Sequence, residues 1–399
     1  MEASRFRLKR AQTAEDTAVP LCFIVDSDYK ALGGAMTRFR SEIQHFAMKG
    51  HQVTVIYSSR GKGKQGRRGT IEYFNIPHSQ SSMLPIYQAR LFFRCLRLRL
   101  SQCELIFVAH EPISLVPPAL LRFVGIRVKT VLVMHGPMAT ETAMRGHKVF
   151  GFFLRLVDRV AFALTGKIAA VSEYEQDYAL SLGAKPWKVT IVRNGIEFPE
   201  SVELSSFRQE MGIPTDRIVV GYLGSVAGYR GTEFLIEGFM IAKSLTQALI
   251  SLVLVFREEL TEEQKKTIKE SAKSARDDVY VSKPRTDVFP VLSTFDIYAS
   301  HFSKKIDGIG ISIMEAMGSG LPVITGKDRI TCKLLRDEVD AILVDKEKPE
   351  AVAEASKRLA EDASLRKRIG LEARKTALNT FSREHMLTMC EKVYLSERN

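Results

Sequence analysis

Paired cysteines, long apolar runs and, in one half of the chain, acidic residues are what this 399-residue sequence has least of. The five cysteines (Cys22, Cys95, Cys103, Cys332 and Cys390) are odd in number and never fall at CxxC spacing, which argues against a disulfide framework and against a zinc site. A reducing, cytoplasmic setting fits them. No apolar run approaches the roughly 20 residues that a spanning helix needs, so the chain is expected to be soluble or at most peripheral. The first twenty residues carry basic side chains but no apolar core, unlike a secretory signal, and residues 1–18 read as a disordered basic tail. Neither GxGxxG nor GxxxxGK[ST] occurs, which removes the main support for a dinucleotide oxidoreductase or an NTPase. With no recognised nucleic-acid module, no nucleic-acid partner is expected.

What is present is an ordinary globular composition, 45% hydrophobic and 26% charged, with a net charge of +12. Residues 1–200 hold 28 Lys+Arg against 16 Asp+Glu, whereas the second half is balanced at 30 and 30. The excess is densest between Arg38 and Arg99, where only Glu42 and Glu72 oppose twelve basic side chains. An anionic partner for the first half follows, or else a merely solvated basic face. Between Ile86 and Leu100, Arg90, Arg94 and Arg97 recur at i, i+4 and i+7 beside apolar residues, a pattern that suits an anionic membrane surface or a docked surface helix.

Strand-like runs, Glu104 to Ala109 among them, alternate with helix-like ones, the pattern of βαβ units and parallel sheets. LCFIV, VTVIY and KTVLVM are apolar almost throughout, as strands covered on both faces are. The rhythm lapses over 194–216, where Pro199 and Pro214 mark a linker, and restarts with RIVVGYLG. Two doubly wound domains are predicted, 19–198 and 199–380, with a C-terminal helix in 381–399 packing back on the first. The basic loop 61–69 is expected to be mobile. In open α/β sheets ligands bind beyond the carboxyl ends of the strands, so function is sought there.

Three glycine turns stand at such ends. Gly33-Gly34 opens a helix after Leu21 to Ser27; Gly224-Ser225, then Arg230-Gly231, open another; Asp307-Gly308-Ile309-Gly310 enters a third, which carries Glu315. Glycine before a helix N-terminus lets the backbone approach a phosphate, and the free N–H groups and helix dipole favour its charge. Main-chain N–H groups of Gly310, Ile311 and Ser312 would accept an anion, Arg230 could grip one, and the carboxylates of Asp307 and Glu315 suit sugar and ribose hydroxyls. Each feature alone also has a plain structural reading as turn, cap or solvated helix residue.

Taken in order, Gly33-Gly34, VMHG (133–136), AAVSE (169–173), VRNGIEF (192–198), YLGSVAGYRG (222–231) and DGIGISIMEAMGSGLPVI (307–324) resemble the motifs of the retaining family 4 glycosyltransferases, also called glycosyl transferases group 1, over nearly the whole chain from Leu21. The resemblance implies the GT-B fold, two Rossmann-like domains with parallel sheets facing across a cleft. It implies a hexose-type transfer from a nucleotide diphosphate sugar, UDP- or GDP-linked, to a glycan or lipid-linked acceptor hydroxyl, without a required metal or cofactor. His135 would face the donor sugar; Gly34, Arg230 and Gly310 to Ser312 would hold the diphosphate; Asp307 would hold sugar hydroxyls, Glu315 the ribose, and Lys283 to Arg285 would flank the base. Three departures stand out: Ser225 for the family's arginine, Arg230 for its lysine and Asp307 for its first glutamate. A sugar-nucleotide-binding relative without activity and a GT-B epimerase are the alternatives. His110, in AHEP, could line the same site.

Overall fold

The computed structural model describes residues 18–26, 34–59, 66–77, 85–136, 138–144, 147–200, 205–225, 230–285, 287–305 and 307–396. The expected tail up to residue 17, Gly33 and residues 61–65 of the basic loop lie outside them. The chain divides into two compact units, Met1–Gly195 with Met386–Asn399, and Ile196–His385.

In the first unit the strands are β1 (Leu21–Val25), β2 (Val53–Ser59), β3 (Gly66–Arg68), β4 (Ile71–Pro77), β5 (Ile106–Ala109), β6 (Lys129–Met134), β7 (Lys167–Ala170) and β8 (Val189–Ile191). They form one sheet in the order β3-β4-β2-β1-β5-β6-β7-β8, parallel except for β3. β1 lies in the middle, Leu21 opposite Val53 on one side and Ile106 on the other. Alternate residues of β1 serve two cores. Leu21, Phe23 and Val25 pack with Phe39, Phe46 and Tyr394, while Cys22 and Ile24 pack with Leu91, Phe107 and Leu132. Burial on both faces explains why these strands read as unbroken apolar runs. The helix Arg383–Leu395 supplies Met386, Leu387, Cys390, Val393 and Tyr394 to the first of these cores, and the Tyr394 ring stacks on Phe46 at 5.6 Å.

Two local expectations need correction. Residues 66–68 of the basic loop are an edge strand, antiparallel to β4, with Arg67 opposite Glu72, a cross-strand pairing of unlike charges. The strand expected from Glu104 begins at Ile106, because Glu104 takes a left-handed backbone (φ 63°) that turns the chain into β5.

The second unit holds β9 (Ile218–Gly224), β10 (Ile250–Phe256), β11 (Val279–Ser282), β12 (Ile297–Ser300), β13 (Val323–Gly326) and β14 (Ile342–Val344), in the order β11-β10-β9-β12-β13-β14. Its faces are again both covered, by Val220, Tyr222, Phe239 and Val352 on one side and Val219, Leu223, Ile313 and Met317 on the other. In each sheet the strand order reverses beside the unit's first strand, between β1 and β5 and between β9 and β12. Neighbouring loops there leave in opposite directions and open a crevice for a ligand.

The helix Ile311–Gly318 is held from behind by the helix Ala363–Thr380, whose Arg374 donates to the Gly318 carbonyl at 2.7 Å. Close approach depends on Gly370, where a Cβ would fall 2.1 Å from the Gly320 carbonyl oxygen. Backbone on both sides leaves no side chain to yield. Gly370→Ala is expected to destabilise the second unit by about 1–3 kcal/mol, as overpacking does, read as a lowered thermal midpoint.

Candidate functional site

At the carboxyl ends of β5 and β6 the first unit gathers a buried polar chain. His110 follows β5 and His135 follows β6; their rings stack with centroids 5.1 Å apart, and Nδ1 of His110 lies 2.9 Å from Nε2 of His135. Nε2 of His110 lies 3.2 Å from Glu42, on the helix Gly34–Met48 that follows β1. Glu42 also accepts from Arg38 Nε at 2.6 Å, from Tyr394 OH at 2.8 Å and from Cys390 Sγ at 3.4 Å. Arg38 in turn donates to the Val192 carbonyl at 2.7 Å and to Asn194 at 3.3 Å, within VRNGIEF, 192–198.

Burial pushes the Glu42 carboxyl up, but Arg38 and His110 outweigh it and hold the carboxyl well below its usual range. Burial, with His110 and Arg38 beside it, keeps His135 neutral, well below the ordinary imidazole value. The hydrogen-bond pattern then assigns the tautomers. A carboxylate only accepts, so His110 carries its proton on Nε2. With His110 neutral, its Nδ1 accepts and His135 donates from Nε2, which leaves Nδ1 of His135 as an acceptor for a hydroxyl.

Nearby, Glu111 accepts from the Asp26 N–H at 3.1 Å, and Asp26 accepts from Ser58 at 2.8 Å. Burial above all, with Asp26 adding to it, raises the Glu111 carboxyl to about 7. Gly34 begins the helix that carries Arg38 and Glu42.

In the second unit the crevice between β9 and β12 carries the other group. Arg230 donates from NH1 to Nε2 of His301 at 2.9 Å, and the Phe302 N–H donates to the Arg230 carbonyl at 3.1 Å. Because Nε2 accepts, Nδ1 of His301 bears the proton and donates to Ser300 Oγ at 2.7 Å. His301 holds a left-handed backbone (φ 66°), and burial, then Arg230 and Lys346, lower its imidazole to about 3. Its ring lies against Gly310, where a Cβ would come within 2.5 Å of Nε2. Gly310 is the N-cap of the helix Ile311–Gly318, whose first N–H groups have no acceptor within the helix. A neutral histidine thus presses a guanidinium against a helix N-terminus.

Asp307 joins the same neighbourhood through Lys346, whose ammonium bridges Asp307 at 2.9 Å and Asp328 at 2.8 Å; Asp328 also accepts from the Gly308 N–H. Glu315 is buried and accepts from Arg257 at 2.9 Å. Burial raises its carboxyl to about 7 against the pull of Arg257. Arg257 follows β10 and its N–H donates to the Gly224 carbonyl at 3.0 Å, next to Ser225, whose hydroxyl donates to Glu258 at 2.6 Å. Lys283 stands exposed just beyond β11, at the sheet edge two strands from β9.

The structure therefore brings together Arg230, Gly308, Gly310, Ile311 and Ser312 with Asp307, and sets Gly224 and Ser225 beside Arg257 and Glu315. It adds Glu42, Arg38, Glu111, Arg257, His301 and Lys346, none of which the motifs had marked. Among the described residues no group of three or more His, Cys, Asp or Glu side chains could hold a metal ion.

If Glu42 sets the tautomers, long-range ¹H–¹⁵N spectra of histidine-labelled protein will show Nε2-protonated His110 and His135, with no titration of His135 around the ordinary imidazole value. In Glu42→Gln the single tautomer is expected to give way to a mixture at both rings.

Residues 32–198 match the family model described as Glycosyltransferase Family 4, and residues 205–376 match the one described as Glycosyl transferases group 1. A capsular polysaccharide biosynthesis glycosyltransferase, CapM of Staphylococcus aureus, is 26% identical over 254 residues. That match covers 61% of this chain and 65% of CapM, just under two thirds of its length. Among solved structures, a glycosyltransferase from Rickettsia africae superposes with a TM-score of 0.75 at 15% identity, over 96% of this chain and 99% of the other. HepE from Anabaena, solved in complex with UDP, gives 0.73 at 19% identity, over 95% and 100%. At these identities the structural matches speak to the fold, which is GT-B. With the two family models covering both units in sequence order, the chain belongs to the family 4, group 1 glycosyltransferases.

Proposed function

We propose that the protein transfers a hexose-type sugar from a nucleotide diphosphate sugar to an acceptor hydroxyl in glycan biosynthesis, with retention at the anomeric carbon and without a metal. The observation that carries this reading is Arg230, oriented by neutral His301 at the N-terminus of the helix Ile311–Gly318. When the bond from anomeric carbon to diphosphate breaks, negative charge grows on the leaving oxygen. A fixed guanidinium and converging N–H groups stabilise it without reorganising. Ser225 gives no cation, but Arg257 offers one beside it at the neighbouring strand end. In the retaining step the acceptor oxygen bonds to the same face of the sugar that the diphosphate leaves, and its proton passes to the departing phosphate oxygen. His135 accepts a sugar hydroxyl through Nδ1, Asp307 and the N–H groups near Gly310 hold the sugar and diphosphate, Glu315 holds the ribose, and Lys283 flanks the base.

UDP is the favoured nucleotide over GDP, since HepE, which shares the fold, has been solved with UDP and with UDP-glucose. A glycan or lipid-linked acceptor is supported by the capsular role of CapM and by the excess of basic residues in the first half, which suits work at the cytoplasmic face of an anionic membrane. Ser225 keeps a second reading in view, a sugar-nucleotide-binding protein without transfer activity.

Calorimetry with UDP, GDP and ADP, with and without magnesium, separates these. Binding of one diphosphate irrespective of metal, with loss of about tenfold or more in Arg230→Ala from the missing charge-assisted contact, supports the assignment. No binding to any of the three would reject it. Release of nucleotide from the sugar conjugate only in the presence of acceptor distinguishes transfer from binding alone. A further expectation concerns pH: the Glu315 carboxylate is present above about 7 and is lost as pH falls through that value. Affinity for the nucleotide should therefore drop severalfold from pH 8 to pH 6, and Glu315→Gln should bind weakly with a flat profile.

A further inference from the structure

The helix Lys148–Leu164 is turned the wrong way round for a protein in water. Its inward face carries Gly151, Leu154, Asp158, Ala161 and Phe162. Its outward face carries Val149, Phe152, Phe153, Leu156 and Val160, with Val149 87% and Phe152 75% exposed. At 100° per residue these five share one stripe, and Lys148, Arg155 and Arg159 form its border on one side. The only acid on the helix, Asp158, points inward and accepts from Tyr178 OH at 2.6 Å. The outward surface of this helix is therefore apolar and cationic, with no carboxylate of its own.

The stripe continues past the end of the helix. Arg122 donates to the Leu164 carbonyl at 2.9 Å, which fixes the turn Leu121–Val124 there and brings Phe123 (73% exposed) and Val124. Lys188 donates to the carbonyls of Ala163 and Thr165, and beside it stands exposed Trp187, the only tryptophan in the chain, with the ammonium groups of Lys167 and Lys188 over its ring. So large an exposed apolar stripe on a helix of a water-soluble fold marks a surface that is covered in use.

We propose that this stripe, with the turn Leu121–Val124, docks the protein onto an anionic lipid bilayer, the helix lying in the interface plane. Charge complementarity selects this occupant. Aromatic side chains and tryptophan seat at the headgroup boundary, and the bordering arginines and lysines meet anionic headgroups while their stems lie along apolar surface. A second copy of the chain would set Arg155 and Arg159 against their own counterparts in a two-fold contact. The inference rests on the membrane-facing role proposed above, but it moves the contact away from the basic helix Pro85–Ser101. There Arg94 is already stacked on Phe74 at 4.2 Å, and Arg90, Arg94 and Arg97 line a groove of about 710 Å³ with Asn75 and Pro77.

The test is co-sedimentation of the full chain with phosphatidylcholine vesicles, with and without 30% phosphatidylglycerol, at low and high salt, in the absence of nucleotide. Binding is expected only with the anionic lipid, weakening as salt screens the charges, with a blue shift of Trp187 fluorescence. Phe152→Ser/Phe153→Ser is expected to weaken binding tenfold or more, and Arg155→Gln/Arg159→Gln by about tenfold, with circular dichroism and UDP affinity unchanged. Three results would overturn the proposal: no binding to anionic vesicles, binding that survives both double variants but is lost in Arg90→Gln/Arg94→Gln/Arg97→Gln, or a dimer in solution that Phe152→Ser/Phe153→Ser dissociates while vesicles are ignored. Since UDP affinity is measured separately, failure here and failure of the transferase reading are distinguishable.

Discussion

A single ionised carboxylate, fully buried, ties the first unit together. Glu42 takes hydrogen bonds from Arg38, His110, Cys390 and Tyr394, and so joins the helix after β1, the end of β5 and the C-terminal helix. A buried carboxylate costs several kcal/mol in lost hydration and is tolerated only when its lone pairs are filled. Removing any one partner leaves that cost less well met. The same carboxylate holds a proton on Nε2 of His110, so the group that stabilises the packing also bears on how His110 meets His135.

The second unit solves a related problem with opposite charge. Arg230 is held beside a helix N-terminus, and a neutral histidine orients it without adding negative charge. Neutral His301 orients the guanidinium through one lone pair and removes none of its charge. Its ring fits only because residue 310 has no side chain. The acids nearby, Asp307 and Asp328, are occupied by Lys346.

The fold was largely legible because it rests on local signals: apolar strands of the right length, glycine turns at their carboxyl ends, and a rhythm that lapses and restarts. The motif residues that converge in the second unit were legible for the same reason, since Arg230 and Gly310 both stand at helix starts. What the sequence hid are partners far apart in the chain. Glu42 and Tyr394 are 352 residues apart, and Arg257 meets Glu315 across 58. Nothing in the local pattern of FREE, 256–259, marks Arg257 as lying beside Ser225. His110 looked ambiguous for the same reason, as its role depends on Glu42 below it and His135 beside it. Glu104 shows the limit at the level of one residue: its side chain gives no warning of the left-handed turn that delays β5 by two positions.

The helix Lys148–Leu164 illustrates a different blindness. Its sequence is amphipathic, and the broad apolar face of such a helix is ordinarily the one turned to the core. Periodicity reports how many faces are apolar, not which of them the protein covers. Only three-dimensional packing shows that Gly151, Leu154, Asp158, Ala161 and Phe162 face the core while Phe152, Phe153 and Leu156 face outward. The basic helix Pro85–Ser101 is conspicuous in the sequence for its charge, but its exposed apolar side chains, Ile86, Phe93 and Leu100, are fewer than those of the helix Lys148–Leu164. Insertion needs apolar area, and the larger share of it lies where the sequence looked most like ordinary core.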